Sequence, residues 1–224
     1  MECRVTAVLV AAGSSTRMGF DKLSFDLGGE TVLERSVRAF DECPEVDELV
    51  IVTGASSENA QRAAARCKKP VRLVRGGSTR AESARSGVAA AHGKLVAVHD
   101  AARPFVSQSV IADTIAAAAR CGAAAPAVSV KDTIKVVEGR IVKSTPDRAS
   151  LYAVQTPQVF DFDILRGALA KANADSAKLT DDCSAVERLG KVVYLIDGDE
   201  ENLKITTPVD LVIAEAILAE REGR

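Results

Sequence analysis

Two cations stand in a short stretch of small residues near the start of the chain, where they could hold phosphate groups. Arg17 and Lys22 lie in the sequence AAGSSTRMGFDK, which begins at Ala11. The small side chains of Ala12 and Gly13 let a ligand approach the backbone N–H groups, and the two cations add positive charge at the same place. This pattern favours binding of a phosphate-bearing ligand and stabilisation of its charge.

Two known phosphate-binding loops do not fit this spacing. A Walker A loop requires Gly-Lys-Ser/Thr at its end, whereas Gly19 is followed by Phe20. A dinucleotide fingerprint requires Gly-x-Gly-x-x-Gly, and Ser15 and Thr16 occupy the wrong places for it. A plain turn between a strand and a helix stays open as the alternative, and the rest of the chain weighs against it.

These residues need strands that end beside one another. Residues 5–10 form a short, mostly apolar run without alternation, which predicts a buried strand just before the loop. Comparable runs alternate with helical patterns, so we predict an α/β fold with a mostly parallel central sheet, whose ligands bind at the carboxyl ends of the strands. Further strands are predicted at 49–52, 71–74, 95–98, 124–130 and 192–196, extended segments at 151–154 and 159–160, and helices at 31–43, 57–67, 107–120, 163–172, 181–189 (introduced by Thr180) and from Pro208 onward.

A second loop of similar type follows the third predicted strand. It reads GGSTR at 76–80, and Ser78 or Thr79 is predicted to cap the helix that follows. Arg80 lies in the first turn, where the helix dipole disfavours a cation, so we expect it to serve an anion. A solvated surface arginine is the alternative. The small residues from Ser83 onward would allow the helix to pack closely on the sheet or on a ligand.

The fourth predicted strand leads into HDAARPF. Asp100 would face the same edge of the sheet as the first loop, where a carboxylate can meet a metal ion or a hydroxyl group. An ion pair with Arg103 that fixes the turn is the alternative. His99 is predicted to be a hydrogen-bonded core histidine. Lys204, between apolar neighbours, either extends along an apolar surface or reaches back to the site.

The segment 131–148 departs from the alternation of strands and helices. Apolar residues at 134–137 and 141–142 flank Glu138-Gly139-Arg140, a pattern that predicts a β-hairpin. A hairpin this polar has too little core to stand alone. We expect a second subunit to support it, with extension of a sheet edge in its own chain as the alternative. The fold predicted from the sequence is therefore one domain with a protruding hairpin arm.

Composition narrows the class of protein. The formal net charge of −2 over 224 residues gives no indication of nucleic-acid binding. The five cysteines are widely spread and lack a CxxC pair, which argues against a disulfide framework and a zinc site. No signal peptide and no run of about 18 apolar residues is found, so we expect a cytoplasmic protein without a membrane anchor.

Seven motifs, in order, resemble one known family. They are AAGSSTRMG, GGSTRAESARSG, HDAARPF, KDTIK, PDRASLYAVQTPQVF, TDDCSAVERLG and NLKITTPVDL. They are similar to the 2-C-methyl-D-erythritol 4-phosphate cytidylyltransferases, which join a cytidine nucleotide to methylerythritol phosphate in the non-mevalonate isoprenoid pathway. The resemblance implies a single Rossmann-like nucleotidyltransferase domain over 1–224, a requirement for Mg²⁺, CTP and a sugar-alcohol phosphate as substrates, and a homodimer formed through the 131–148 arm.

The resemblance also implies roles for individual residues. Arg17 and Lys22 match the cations that stabilise the transition state, although Asp21 and Leu23 replace the family's usual neighbours of the lysine. The residues implied to position the methylerythritol phosphate are Arg148, Lys204, Thr133, Thr156 and Thr180. Those implied to bind the nucleotide are Ala11, Ala12, Gly13, Gly77, Arg80, Ser83, Asp100 and Ala101. The sequence assigns no set of metal ligands.

The chemistry implied is an in-line attack of a phosphate oxygen on the α-phosphorus of CTP. Such a nucleophile is already ionised at neutral pH and needs no general base, which agrees with a chain that carries only two histidines. Cations are needed to bring two anions together. A ribitol 5-phosphate cytidylyltransferase and a non-catalytic nucleotide-binding protein of the same fold remain the alternatives.

Overall fold

Strands and helices alternate along most of the chain, as the sequence pattern predicts. The computed structural model describes residues 5–13 and 19–223. The strands are β1 Val5–Ala11, β2 Glu48–Thr53, β3 Val71–Arg75, β4 Leu95–Asp100, β5 Ala123–Ser129, β6 Val136–Glu138, β7 Ile141–Ser144, β8 Tyr152–Val154, β9 Gln158–Asp161 and β10 Tyr194–Asp197. The α-helices are α1 Val32–Asp41, α2 Glu58–Ala65, α3 Arg80–Ala89, α4 Gln108–Cys121, α5 Phe162–Ala174, α6 Asp182–Arg188 and α7 Pro208–Arg221.

One central sheet carries most of the strands. Its order is β10-β5-β9-β4-β1-β2-β3, with β8 paired on β5. The adjacent strands β3, β2, β1 and β4 are parallel to one another, and β10 is parallel to β5. Strand β9 is antiparallel to both β4 and β5. The register pairs Val10 with Asp100, so the first loop and Asp100 leave the sheet at the same edge. The prediction of a mostly parallel sheet is confirmed.

Helices cover both faces of this sheet because the side chains of each inner strand alternate between two cores. In β1, Leu9 belongs to the core that also contains Phe40 of α1 and Ile111 of α4. Its neighbour Val8 belongs to the core on the other face, with Val88 of α3. Both faces of β1 are therefore dry, which explains its unbroken apolar sequence.

Capping residues begin the helices close to the predicted positions. Thr31 and Glu34 form a capping box at α1, and Thr79 caps α3. At α6 the prediction is wrong by one residue, because the cap is Asp181, whose carboxylate accepts from Ser184 N, and not Thr180. No helix of the described residues is long and apolar enough to cross a membrane.

The fourth strand is longer than predicted. It continues through Asp100, so the carboxylate stands on the last residue of a strand and not in the loop beyond it. Pairing with β1 holds this end of the strand, and Ala101 N donates to Val10 O at 3.2 Å. The position of Asp100 is therefore fixed by the sheet.

The predicted hairpin is present as β6 and β7, which pair only with each other among the described residues. The connection is shorter than predicted, since Glu138 belongs to β6 and only Gly139 and Arg140 form the turn. Gly139 has φ +60°, a conformation that favours glycine. The hairpin does not extend an edge of the central sheet, so that alternative is wrong. Its apolar residues lie 48% to 69% exposed in β6 and β7.

Candidate active site

The two glycine-containing loops meet at the carboxyl edge of the sheet. A Cβ atom placed on Gly76 would lie 2.5 Å from Ala12 Cβ and 2.6 Å from Ser83 Oγ. Ser83 Oγ accepts a hydrogen bond from Gly77 N at 3.2 Å and donates to Thr79 O at 2.9 Å. Ser83 is buried, whereas Gly13 and Gly77 are exposed. The structure thus brings the predicted nucleotide-binding residues of both loops together around an accessible backbone.

A cluster of four charged side chains lies beside these loops, and we call Arg80, Asp100, Asp182 and Lys204 the charged cluster. Arg80 Nε donates to Asp100 Oδ1 at 3.0 Å, and Arg80 Nη2 donates to Asp182 Oδ2 at 2.9 Å. Lys204 Nζ donates to the other oxygen of Asp100 at 2.6 Å. The expectation that Arg80 serves an anion is met within the chain itself, by two carboxylates.

Burial and charge act in opposite directions on this cluster. Burial alone would raise the pKa of Asp100, but the charges of Arg80 and Lys204 and their hydrogen bonds hold that pKa well below its usual range. Burial would lower the pKa of Arg80, yet Asp182 and Asp100 raise it. Asp100 and Arg80 are therefore ionised at neutral pH, and the cluster is a fixed arrangement of charges at the sheet edge.

The predicted catalytic Lys22 reaches the same edge. Its Nζ donates to the backbone carbonyl of Ile205 at 2.6 Å, and Ile205 directly follows Lys204. Lys204 lies at this sheet edge through its bond to Asp100, and the segment that carries it also receives Lys22. Arg17, the other predicted catalytic cation, lies outside the described residues.

Residues behind the charged cluster hold its position. Thr156 Oγ1 accepts from Asp100 N at 3.1 Å and lies 3.0 Å from His99 Nδ1, and Thr156 is only 3% exposed. His99 is fully buried, and this burial lowers its pKa to about 4, so the ring is neutral. The prediction that His99 is a hydrogen-bonded core residue is confirmed. The alternative ion pair between Asp100 and Arg103 is wrong, because Arg103 Nη1 donates to Asn202 O at 2.6 Å.

Other predicted residues lie apart from the cluster or inside the protein. The side chain of Ala101 is fully buried, and its backbone N donates to Val10 O at the end of β1. Thr180 is exposed at the start of α6. Thr133 and Arg148 are exposed at the base of the hairpin, where Arg148 Nη1 donates to Lys131 O at 2.8 Å. No described hydrogen bond or ion pair joins these two residues to the charged cluster within one chain.

Sequence reasoning missed two residues of this region. Asp182 completes the cluster, and Gln158 at the start of β9 fixes the beginning of α6 through three hydrogen bonds. The signal for Asp182 was the acidic pair at 181–182 directly after Thr180. Nothing in the local sequence indicated that Arg80, far earlier in the chain, would be its partner.

Of the two carboxylates in the charged cluster, Asp100 is the more accessible to a divalent cation, since the side chain of Asp182 is only 1% exposed. The described residues contain no group of three or more side chains that could hold a metal ion. Asp100, whose side chain is 12% exposed at the sheet edge, fits as a single ligand. Mg²⁺ is commonly bound by one or two carboxylates together with phosphates of the substrate, so the donors present suit a metal that arrives with a nucleotide.

A mostly parallel sheet whose carboxyl edge gathers small-residue loops, Lys22 and the charged cluster is typical of α/β enzymes that bind phosphorylated ligands. Comparison with known proteins gives the particular family. The model of the family described as IspD, 2-C-methyl-D-erythritol 4-phosphate cytidylyltransferase, matches residues 5–220. The chain belongs to this family of cytidylyltransferases.

Individual relatives agree over nearly the whole chain. The 2-C-methyl-D-erythritol 4-phosphate cytidylyltransferase of Symbiobacterium thermophilum is 44% identical over 98% of this chain and 95% of its own length. The crystal structure of 4-diphosphocytidyl-2C-methyl-D-erythritol synthase from Anaerococcus prevotii superposes with a TM-score of 0.87, covering 96% of each chain at 32% identity. The cytidylyltransferase structure from Thermus thermophilus gives 0.80 at 35% identity, covering 94% of this chain and 97% of that one. Fold and sequence therefore give the same family.

Proposed function

We propose that the protein transfers CMP from CTP to 2-C-methyl-D-erythritol 4-phosphate in non-mevalonate isoprenoid biosynthesis. The products are 4-diphosphocytidyl-2-C-methyl-D-erythritol and pyrophosphate. The observation that carries the proposal is the meeting of Lys22 and Lys204 at one edge of the sheet, in a chain of this family. We place the reaction in the cytoplasm, since the five cysteines show no pattern of pairing.

The proposed step forms one bond and breaks one bond at the α-phosphorus of CTP. An ionised oxygen of the acceptor phosphate attacks, and the bond from the α-phosphorus to the oxygen that bridges to the β-phosphate breaks in line with it. Pyrophosphate leaves with that oxygen and its electron pair. Charge grows on the phosphoryl oxygens and on the leaving group, so preorganised cations are the main catalytic need.

The chain's cations divide this work. Lys22 and Arg17 stabilise the charge at the α-phosphate, and Lys204 and Arg148 hold the incoming phosphate. Lys204 is poised for its part because its ammonium group, on a side chain that is 38% exposed, is held at the sheet edge by Asp100 alone among the described side chains. The exposed backbone at Gly13 and Gly77 provides the surface for the cytidine, and the buried hydroxyl of Ser83 holds Gly77 in place through its hydrogen bond from Gly77 N.

We propose Mg²⁺ as the cofactor. Asp100 would hold the metal ion, which would supply additional positive charge to the triphosphate. Asp100 is suited to this role because it is ionised and because the sheet fixes its backbone. Lys204 and Arg80 balance its charge in the absence of substrates.

We also propose that the arm forms a homodimer. Large apolar side chains are exposed in the hairpin segment, in β8, and in and just before β10. They are Ile134, Val136, Val137, Ile141, Val142, Tyr152, Val154, Val192, Tyr194 and Leu195. Apolar surface on this scale, gathered in one region, favours a protein interface. In such a dimer Arg148 and Thr133 would contribute to the site of the partner.

Pyrophosphate release tests the proposal directly. We expect release with CTP and 2-C-methyl-D-erythritol 4-phosphate, and a kcat/KM at least about 100-fold lower with ribitol 5-phosphate, since the two acceptors place different groups against the same fixed donors. Comparable or faster turnover of ribitol 5-phosphate would reassign the acceptor. Absence of release with either acceptor would leave only nucleotide binding.

A further inference from the structure

Asp182 is a buried carboxylate that the chemistry described above does not use. It occupies the first position of α6, and its side chain is 1% exposed. Burial raises the pKa of Asp182, so keeping its charge inside the protein is unfavourable without a cationic partner. Arg80 is the only cation within 4 Å of its carboxylate in the described part of the chain.

The placement of Asp182 is rigid. Gln158 Oε1 accepts hydrogen bonds from Asp182 N and Cys183 N, each at 3.0 Å. Gln158 Nε2 donates to Asp181 Oδ2 at 2.8 Å, and Gln158 itself is 2% exposed. A buried amide on β9 therefore fixes the first turn of α6, and with it the direction in which the Asp182 carboxylate points.

Two carboxylates restrain the guanidinium group of Arg80 on the same side. Asp100 receives Nε, and Asp182 receives Nη2. A hydrogen bond to Nε alone would leave the plane of the group free to turn, whereas the second bond fixes it. Nη1 makes no hydrogen bond to any other described residue, and the side chain is 28% exposed. The group therefore presents unused donors at the sheet edge.

We propose that Asp182 is a positioning residue in CTP binding. It holds the guanidinium group of Arg80 so that Nη1 of Arg80 faces the phosphates of CTP. The inference rests on the proposed function and on the nucleotide-binding role that the family resemblance implies for Arg80. Asp100 cannot do this alone, because it also holds Lys204 and lies where the substrates meet. Asp182 is buried away from that surface, so its bond to Arg80 persists while the substrates bind.

A double-mutant cycle on CTP binding tests this proposal. Affinity is measured by calorimetry with CTP and Mg²⁺ and without the acceptor, so that no turnover occurs. We expect Asp182→Asn to weaken CTP binding about 10-fold, because the guanidinium group of Arg80 loses its orientation. Arg80→Ala should weaken CTP binding at least as much, because the charge-assisted hydrogen bond to the phosphates is lost altogether. If Asp182 acts through Arg80, the double variant binds no more weakly than Arg80→Ala alone.

Asp181→Asn is the matched control. It removes a charge from the same end of α6, but the Asp181 carboxylate contacts Ser184 N and Gln158 and not Arg80. Asparagine is also a good N-cap, so we expect CTP affinity within about twofold of wild type. An equal loss in the Asp181 and Asp182 variants would mean that charge at the helix end matters and not the bond to Arg80, which overturns the proposal.

Two further results would overturn the proposal. One is a wild-type CTP affinity in Asp182→Asn. The other is a double variant whose fold-loss of CTP affinity equals the product of the fold-losses in the two single variants. If Arg80→Ala binds CTP normally, the nucleotide-binding role of Arg80 fails, and the inference fails with it for a different and recognisable reason. Should Asp182→Asn not fold, the Nη2–H signals of Arg80 in ¹⁵N spectra of the wild type decide, because Nη2 donates to Asp182. Slow exchange of these protons with water supports anchoring, and exchange as fast as in free arginine overturns it.

Discussion

Lys22 Nζ lies 2.6 Å from the backbone carbonyl of Ile205, the residue next to Lys204. A lysine from the first loop and one from the last connection before α7 are thereby brought to the same place, although most of the chain separates them in the sequence. The short 3-10 turn Lys22–Ser24, capped by the side chain of Asp21, directs Lys22 toward this carbonyl. The arrangement explains how Lys22 reaches the sheet edge although Asp21 and Leu23 replace the family's usual neighbours of this lysine.

Replacing Lys22 should impair the chemical step more than binding. We expect Lys22→Ala to lower kcat about 100-fold, because losing one donor to developing charge costs about 3 kcal/mol. The KM for CTP should change little, since the interaction strengthens in the transition state. Initial rates of pyrophosphate release at varied CTP measure both constants. Lys68→Ala, which removes an exposed lysine from the other end of the domain, should leave both unchanged, and a normal kcat in Lys22→Ala would contradict the assigned role.

Mixed dimers test whether Arg148 acts across the interface. We expect Lys22→Ala and Arg148→Ala each to be nearly inactive, whereas mixed dimers should contain one site with both residues intact. If that site works, up to about a quarter of wild-type activity per chain returns after random exchange, because half of the dimers are mixed and each has one good site. Activity is measured after exchange, with mixed dimers verified by distinct affinity tags. Mixed dimers without recovered activity would place Arg148 in the site of its own chain.

Gly87 shows how closely α3 packs on the sheet. A Cβ on Gly87 would lie 2.7 Å from Val52 Cγ2 and closer still to Val8 Cγ1, both in buried strands. We expect Gly87→Ala to reduce the free energy of unfolding by about 1 to 2 kcal/mol, since crowding outweighs the better helix propensity of alanine. Urea unfolding measures the change.

Gly167→Ala is the matched control for that substitution. Gly167 lies within α5, and a Cβ there would meet nothing within 4 Å. The same change should therefore stabilise the protein by about 0.5 to 1 kcal/mol through helix propensity alone. Equal effects of the two substitutions would show that α3 does not pack against β1 and β2 as described.

Stability in acid should depend on Glu34. Burial opposes its charge, but hydrogen bonds from Thr31 and the charges of Arg66 and Arg62 outweigh burial and lower its pKa below the usual 4.5. The stabilisation from ionised Glu34 is therefore present above pH 4.5 and is lost as the pH falls below it. Glu34→Gln keeps the shape of the capping box, and we expect it to lower the free energy of unfolding by about 1 kcal/mol at pH 7. The difference from wild type should narrow below pH 4.5 in urea unfolding, and a difference that stays constant as the pH falls through this range would contradict the role of the Glu34 charge.

Much of the architecture could be predicted because it depends on local chemistry. The short apolar runs gave β1 to β5 within about two residues, and Thr31, Thr79 and Pro208 marked the starts of their helices. The carboxyl edge of a parallel sheet then predicted that the first loop and Asp100 would lie together, as they do. These inferences need only periodicity, capping and the rules of parallel sheets.

Partners that are distant in sequence could not be predicted. The extended segment that became β9 gave no sign that it would enter antiparallel between β4 and β5, since strand pairing is chosen by the whole sheet. For the same reason the sequence did not indicate Asp182 as a residue of the site. It suggested Arg103 as an alternative partner of Asp100, whereas the actual partners are Arg80 and Lys204. The roles proposed for Arg148 and Thr133 require a second subunit, so the mixed-dimer experiment has to test them.

The antiparallel course of β9 has a consequence for protein engineering. Because β9 begins at the carboxyl edge, where Gln158 pairs with Val98, the chain leaves the sheet at the end of β5 and returns to it at the same edge, first through β8 and then through β9. Residues 130–151 thus form a cassette between β5 and β8 that can be exchanged or lengthened without cutting any strand of the central sheet. We expect acceptor choice and subunit pairing to be retargeted by grafting this cassette, while the nucleotide preference set by the other half of the sheet is inherited unchanged.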